Sequence, residues 1–229
     1  LHGEGLPTAV LKVIELSNAK TDAQDAEKNA KIELANMAIQ LAFLPAWTNA
    51  VRVGKIDPKL ISRGIAAPSE EMVYFIDKFM KKGRNTLSAY DSSEGTLFLL
   101  FVAVLLAHPD APRFFSLDNV DNALNPKLTR KLVEAIIRQV SYVDEEQIAI
   151  GPRQVFLTSH NPTSLDAFDL FDDNQRVFVV KRDERGHTVA ERLEPRSGMS
   201  REDWQIAMNG RNLSQVWLDG DILGAMGSL

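Results

Sequence analysis

Apolar residues first recur at helical spacing. Between Thr8 and Ser17, Val10, Leu11, Val13, Ile14 and Leu16 follow Pro7, whose fixed φ suits the first turn of a helix. A second helical stretch, Asp25 to Leu44, carries Ile32, Leu34, Met37, Ala38, Leu41 and Leu44 and is stopped by Pro45. From Met72 the period shortens. Val73, Tyr74, Phe75 and Ile76, a Lys81-Lys82-Gly83 turn, and the alternating Thr86 to Tyr90 predict a β-hairpin. That hairpin runs straight into Asp91-Ser92-Ser93-Glu94-Gly95-Thr96 and an apolar helix over 97–107, stopped by His108-Pro109.

Next comes a short apolar strand, Phe114 to Leu117, ending on Asp118, then a polar loop and a helix from Pro126 to about Val140. A further strand, Gln154 to Thr158, ends on Ser159-His160 and feeds a helix started by Pro162. Short apolar strands alternating with helices predict a parallel α/β sheet. Ligands of such sheets sit beyond the carboxyl ends of the strands, where Asp118 and His160 fall. Arg176 to Val180 and Thr188 to Leu193 read as a closing hairpin, and the tail from Arg201 as a short amphipathic helix followed by Leu213 to Leu218. Residues 46–70 have the poorest pattern and read as a loop-rich link. The division expected is a helical segment over 1–70, a core over 71–195 and a helical tail over 196–229.

Composition narrows the classes. At 229 residues the chain exceeds an average domain of roughly 150 without reaching two. It has no Cys, which excludes a disulfide framework, a Cys-ligated metal and a cysteine nucleophile. The longest apolar run, Leu97 to Ala107, is about half the roughly 20 residues of a membrane span. With no signal-peptide zones either, the expected location is the cytoplasm. The opening Leu1-His2-Gly3 lacks an initiator Met, so the chain is expected to be part of a longer protein.

Net charge is −5 and uneven: residues 1–90 carry 12 Lys and Arg against 10 Asp and Glu, whereas 91–229 carry 14 against 21. Charge therefore does not indicate a nucleic-acid partner, whose binding domain would be strongly basic. The best local patch is Lys78-Phe79-Met80-Lys81-Lys82-Gly83-Arg84, and its plainer reading is a solvated hairpin turn.

Three segments carry candidate chemistry. Ser93 and Gly95 at a helix start offer a hydroxyl and free N–H groups at the positive end of the helix dipole, which suits phosphate, although Ser there is ordinarily an N-cap. Asp118 ends a strand, where one carboxylate can hold Mg²⁺ directly or through water, or simply cap the next loop. His160 could contact a phosphate or orient a water, or serve as a structural hydrogen bonder.

In this order the segments resemble the ABC-type ATPases of the SMC, RecF and OLD-like group, especially small bacterial members whose signature reads Ser-Glu-Gly-Thr. Ser93-Glu94-Gly95-Thr96 matches that signature, Phe114 to Asp118 the Walker B strand, Asp121-Asn122-Ala123-Leu124-Asn125-Pro126 the D-loop, and Thr158-Ser159-His160-Asn161-Pro162 the switch histidine. The resemblance implies a P-loop NTPase α/β fold of ABC/SMC-head type, a parallel core with flanking helices and β-hairpins, incomplete at its amino-terminal side. It implies ATP and Mg²⁺ as cofactors, Asp118 as the metal residue, and Ser93, Glu94, Gly95, Thr96 and Asn122 as nucleotide contacts. His160 would sense the γ-phosphate, and two heads would sandwich ATP as a homodimer, with an effector protein as a further partner. The biological setting implied is DNA repair or defence against foreign DNA.

Two departures from the family pattern stand out. No G-x-x-x-x-G-K-S/T occurs: Gly54-Lys55 has Asn49 in place of the first Gly and Ile56 in place of Ser or Thr. The residue after Asp118 is Asn119, where the family carries the Glu that polarises water. A carboxamide can position water but cannot take its proton, a loss of roughly 10²- to 10⁴-fold, with Asp121 a substitute base. Slow hydrolysis by the natural protein is expected. The alternatives are a non-hydrolysing, ATP-regulated module controlling an effector, and a plain α/β interaction domain.

Overall fold

A computed structural model describes residues 5–60, 70–140, 150–195 and 198–220. The chain divides into two compact units, residues 1–117 with 135–157, and residues 118–134 with 158–229. Each is described on its own.

The first unit is built around α3 (Glu94–Ala107), which buries ten of its 14 residues, among them Leu97, Leu99, Leu100, Val102, Val104 and Leu106. A helix apolar on every side has to be covered on every side. Its neighbours are α1 (Leu6–Ser17), α2 (Ala26–Ile39) and the 3-10 turn Gln40–Phe43. α1 buries Val10 and Val13; α2 buries Ala30, Ile32, Leu34, Ala35, Ala38 and Ile39. The Asp25 carboxylate caps α2 by accepting from the Lys28 N–H at 2.9 Å. The expected helix over Asp25 to Leu44 is thus α-helical only to Ile39. Its last turn tightens to 3-10 ahead of Pro45, which cannot continue a helix.

An antiparallel sheet in the order β1 (Thr48–Lys55), β2 (Glu71–Asp77), β3 (Thr86–Ser88) belongs to the same unit. β2 and β3 form the expected hairpin, with Tyr74 opposite Ser88 and Ile76 opposite Thr86. β1 is a correction to the expected link over 46–70. It pairs with β2 from Thr48 opposite Asp77 to Lys55 opposite Glu71, and a bulge between Thr48 and Ala50 breaks the alternation by which a strand is recognised. The remainder of that link over 61–69 lies outside the described residues. Phe75 on β2 is fully buried and meets the Trp47 ring at 5.6 Å between centroids.

The expected parallel strands are present as one pair. β4 (Phe114–Leu117) runs parallel to β5 (Gln154–Leu157), from Phe114 opposite Gln154 to Leu117 opposite Leu157. Phe115 and Leu117 are buried, while Phe114 and Phe156 stand exposed and touch edge to face at 5.5 Å. Among the described residues these are the only parallel strands, and antiparallel pairing predominates. α4 (Pro126–Val140) follows β4.

In the second unit Pro162 opens only a 3-10 turn, Pro162–Ala167, in place of the expected helix. Beyond it lie the hairpin β6 (Phe178–Arg182) and β7 (Thr188–Arg192), then α5 (Arg201–Met208) and α6 (Leu213–Leu218). Leu170, Leu193, Leu213 and Val216 form its core, with Leu165, Val177, Trp204, Met208 and Trp217 packed around them. Asp166 fixes α6 by accepting from the Ser214 N–H at 2.8 Å and from its hydroxyl at 2.9 Å. The Asn174 N–H, and then the Gln175 amide, hold the Asp172 carboxyl below its ordinary range. This turn is therefore held above the ordinary carboxylate range and loosens as pH falls through the lowered value.

Phe75→Ala leaves a hole the sheet cannot close, and a loss of about 3–5 kcal/mol is expected. Denaturant unfolding of the two proteins measures it; a loss below about 1 kcal/mol would mean that Phe75 is not at the centre of the core.

Candidate nucleotide site

In the first unit, Ser93 is the N-cap of α3. Its hydroxyl oxygen accepts from the Thr96 N–H at 3.3 Å and lies 2.9 Å from the Thr96 hydroxyl. Thr96 is completely buried, and its hydroxyl oxygen also accepts from the Trp47 indole N–H at 3.2 Å. Thr96 therefore anchors the helix start. Ser93 and Glu94 are exposed and Gly95 is buried, so a ligand approaching this helix start meets the Ser93 hydroxyl, the Glu94 carboxylate and first-turn backbone N–H groups. Trp47 lay in no motif, and no sequence pattern marked it.

In the second unit, Asp118, Asn119 and Val120 are stitched to Thr158, the residue that follows β5. The Thr158 hydroxyl donates to the Asp118 carboxylate and accepts from the Asn119 N–H at 2.8 Å. The Thr158 carbonyl accepts from the Val120 N–H at 2.9 Å. One threonine thereby satisfies three groups of the turn after β4 and fixes the direction of the Asp118 carboxylate, which is exposed. In the sequence Thr158 belongs to the Thr158-Ser159-His160-Asn161-Pro162 segment and has no role of its own there. A hydroxyl at the end of the neighbouring parallel strand was the available signal.

Asn119 has φ +52°. Asn tolerates this left-handed conformation better than any residue but Gly, while a longer side chain such as Glu pays a steric cost. The Asn122 N–H donates to the Asn119 carbonyl at 2.9 Å, closing the turn, and the Asn122 side chain is exposed. Asp121 is half-buried, and its Oδ1 is enclosed with no hydrogen-bond partner. His160 is exposed two residues after Thr158. Asp118, Asn119, Asp121, Asn122 and His160 thus share one compact unit, whereas Ser93 to Thr96 belong to the other.

Among the described residues no cluster of three or more His, Asp or Glu could hold a metal ion alone. Mg²⁺ needs less from a protein, typically one or two carboxylates together with phosphate oxygens and water. An exposed, hydroxyl-oriented Asp118 and the unpartnered Asp121 oxygen suit that need. A glycine-rich phosphate cradle is absent from the sequence.

Residues 10–166, well over half of the chain, match the family described as "AAA domain, putative AbiEii toxin, Type IV TA system". The chain belongs to this family. Membership places it among the AAA/P-loop ATPases, an α/β class characterised by ATP binding, generally with Mg²⁺, and the matched residues of this AAA domain include all three candidate segments. Comparison with curated proteins finds no match. Among the described residues no helix of the AAA protein is long and apolar enough to cross a membrane.

The left-handed turn at Asn119 generates a stability test. Asn119→Gly is expected to be nearly neutral, because lost Cβ crowding offsets the extra backbone entropy, whereas Asn119→Ala keeps the crowding, loses the local polar compensation of Asn and costs up to about 1 kcal/mol. Equal unfolding midpoints for the two variants would contradict the conformation.

Proposed function

We propose that this AAA chain is the signature-bearing part of an ABC/SMC-like ATPase head, working as an ATP-dependent dimerising switch in DNA repair or defence against foreign DNA. The observation that carries the reading is the Asp118–Thr158–Asn119 arrangement at adjacent ends of two parallel strands, where α/β proteins place their ligands. The family's toxin–antitoxin description favours the defence setting.

On this reading Asp118, held by Thr158, presents its carboxylate to Mg²⁺ and metal-bound water. Bound Mg²⁺ would neutralise charge on the phosphates. His160 donates a hydrogen bond to the γ-phosphate and reports its presence. Ser93 and Gly95 of one head complete the site of its partner through a hydroxyl and a helix-terminal N–H. Asn119 orients the attacking water without accepting its proton, so turnover is slow, and Asp121 is the remaining carboxylate able to accept it. The phosphate cradle is contributed from outside these 229 residues, so the chain alone binds Mg-ATP weakly or not at all. The second reading, a non-hydrolysing regulatory module acting on an effector protein, is favoured by Asn119 itself.

Three variants test these readings. In the natural protein, Asp118→Ala is expected to abolish Mg-ATP binding without loss of the folded circular-dichroism spectrum, and Ser93→Arg to abolish ATP-dependent dimerisation in sedimentation. Unchanged dimerisation would remove the signature assignment. Asn119→Glu separates switch from regulator: a rise in hydrolysis of roughly 10²-fold or more is expected if only a base is missing. An unchanged rate in a variant that keeps its unfolding midpoint, so that Glu is accommodated in the left-handed turn, assigns the base to another residue, Asp121 being the one to mutate next.

A further inference from the structure

The turn joining β2 to β3 is absorbed neither by the fold nor by the nucleotide site. It is held rigidly. The Asp77 carboxylate accepts from the N–H groups of Phe79 at 2.7 Å and Met80 at 3.1 Å, and the Lys78 N–H donates to the Trp47 carbonyl at 3.0 Å. The Asp77 N–H donates to Asn85 at 2.8 Å, and Gly83 turns the chain at φ +87°. At the tip Phe79 is 77% and Met80 43% exposed. Around them Lys78, Lys81, Lys82 and Arg84 are all exposed, and among the described residues none forms an ion pair. The carboxylate at the base of the turn, Asp77, is already occupied by backbone N–H groups. A chain of net charge −5 thus carries four unpaired cations and a projecting aromatic ring on a braced seven-residue turn.

We propose that this tip binds single-stranded nucleic acid, with an unstacked base on the open face of Phe79 and phosphates on Lys78, Lys81, Lys82 and Arg84. Stacking on an aromatic ring together with cations that track the backbone is the sequence-tolerant means of holding a single strand. The placement of Lys78 favours a nucleic acid over an anionic membrane. Its ammonium lies 5.0 Å from the Phe79 ring centroid, so inserting the ring into hydrocarbon would drag a charge with it. A base stacked on the other face leaves that ammonium free to meet the adjacent phosphate. A duplex keeps its bases stacked and offers Phe79 nothing to stack on.

The test is fluorescence anisotropy of a labelled 20-nucleotide oligo-dT with the 229-residue chain, without nucleotide, between 50 and 200 mM salt. Leaving ATP out separates its failure from that of the proposed head. Binding is expected to fall with a log–log salt slope of roughly −2 to −3, for three or four phosphates neutralised. Phe79→Ala should weaken it roughly 5- to 100-fold. Lys81→Glu with Lys82→Glu should flatten the slope by about 1–2, and the charge-matched Lys20→Glu with Lys59→Glu should leave affinity within about twofold. All these side chains are exposed, so the variants are expected to fold. No binding at 50 mM salt, equal affinity for a 20-base-pair duplex, equal competition by polyglutamate, an unaffected Phe79→Ala variant, or preferential binding to phosphatidylserine vesicles would each overturn the proposal.

Discussion

A helix without a polar stripe cannot stand at a surface, and α3 is such a helix. Burying ten of 14 residues requires neighbours on all sides, supplied by α1, α2 and the 3-10 turn after α2. The start of α3 is where this constraint becomes chemistry. Glu94 is exposed but Gly95 and Thr96 are buried, so the first turn passes from solvent to core within two residues. Trp47, reaching Thr96 from the chain just before β1, fixes that passage. A ligand-binding segment on a mobile loop would have to be ordered by its ligand. One at the mouth of an immobilised helix is ordered beforehand, and the entropy of ordering it does not count against binding.

The elements legible in the sequence were those whose pattern answers to a single period. The hairpin around Lys81-Lys82-Gly83 announces itself by its turn residues, the apolar helix by a run from Leu97 to Ala107 broken by no polar side chain, and the helix from Arg201 by amphipathic spacing ahead of Asn209. β1 escaped because its bulge shifts the phase between Thr48 and Ala50, and Asn49 and Gly54 are poor strand residues. The turn at Pro162 looked like a helix start because Pro serves equally well in a 3-10 turn. What ends it is Phe168, extended at φ −96° and ψ 143°.

Site residues divide in the same way. The places of Asp118 and His160 were legible because strand ends are legible: Asp118 directly follows β4, and His160 comes three residues after β5. Thr158 was not, since its role lies in one hydroxyl serving two neighbours 39 and 40 residues away in sequence, and no local pattern encodes a partner so distant. The left-handed turn at Asn119 also belongs to geometry. It gives a physical reason for Asn at a position where the resemblance leads one to expect Glu: the backbone shape itself selects against the longer side chain.

The three tryptophans fall unevenly. Trp204 and Trp217 pack around the core of the second unit, while Trp47 stands alone in the first, its indole N–H tied to the residue that anchors the start of α3. Indole emission responds to the polarity and hydrogen bonding of its surroundings, so Trp47 is a built-in optical gauge of the α3 start. With Trp204 and Trp217 replaced by Phe, the remaining signal would follow that one hydrogen bond. The molecule thus carries its own spectroscopic handle on the place where a second head is proposed to arrive.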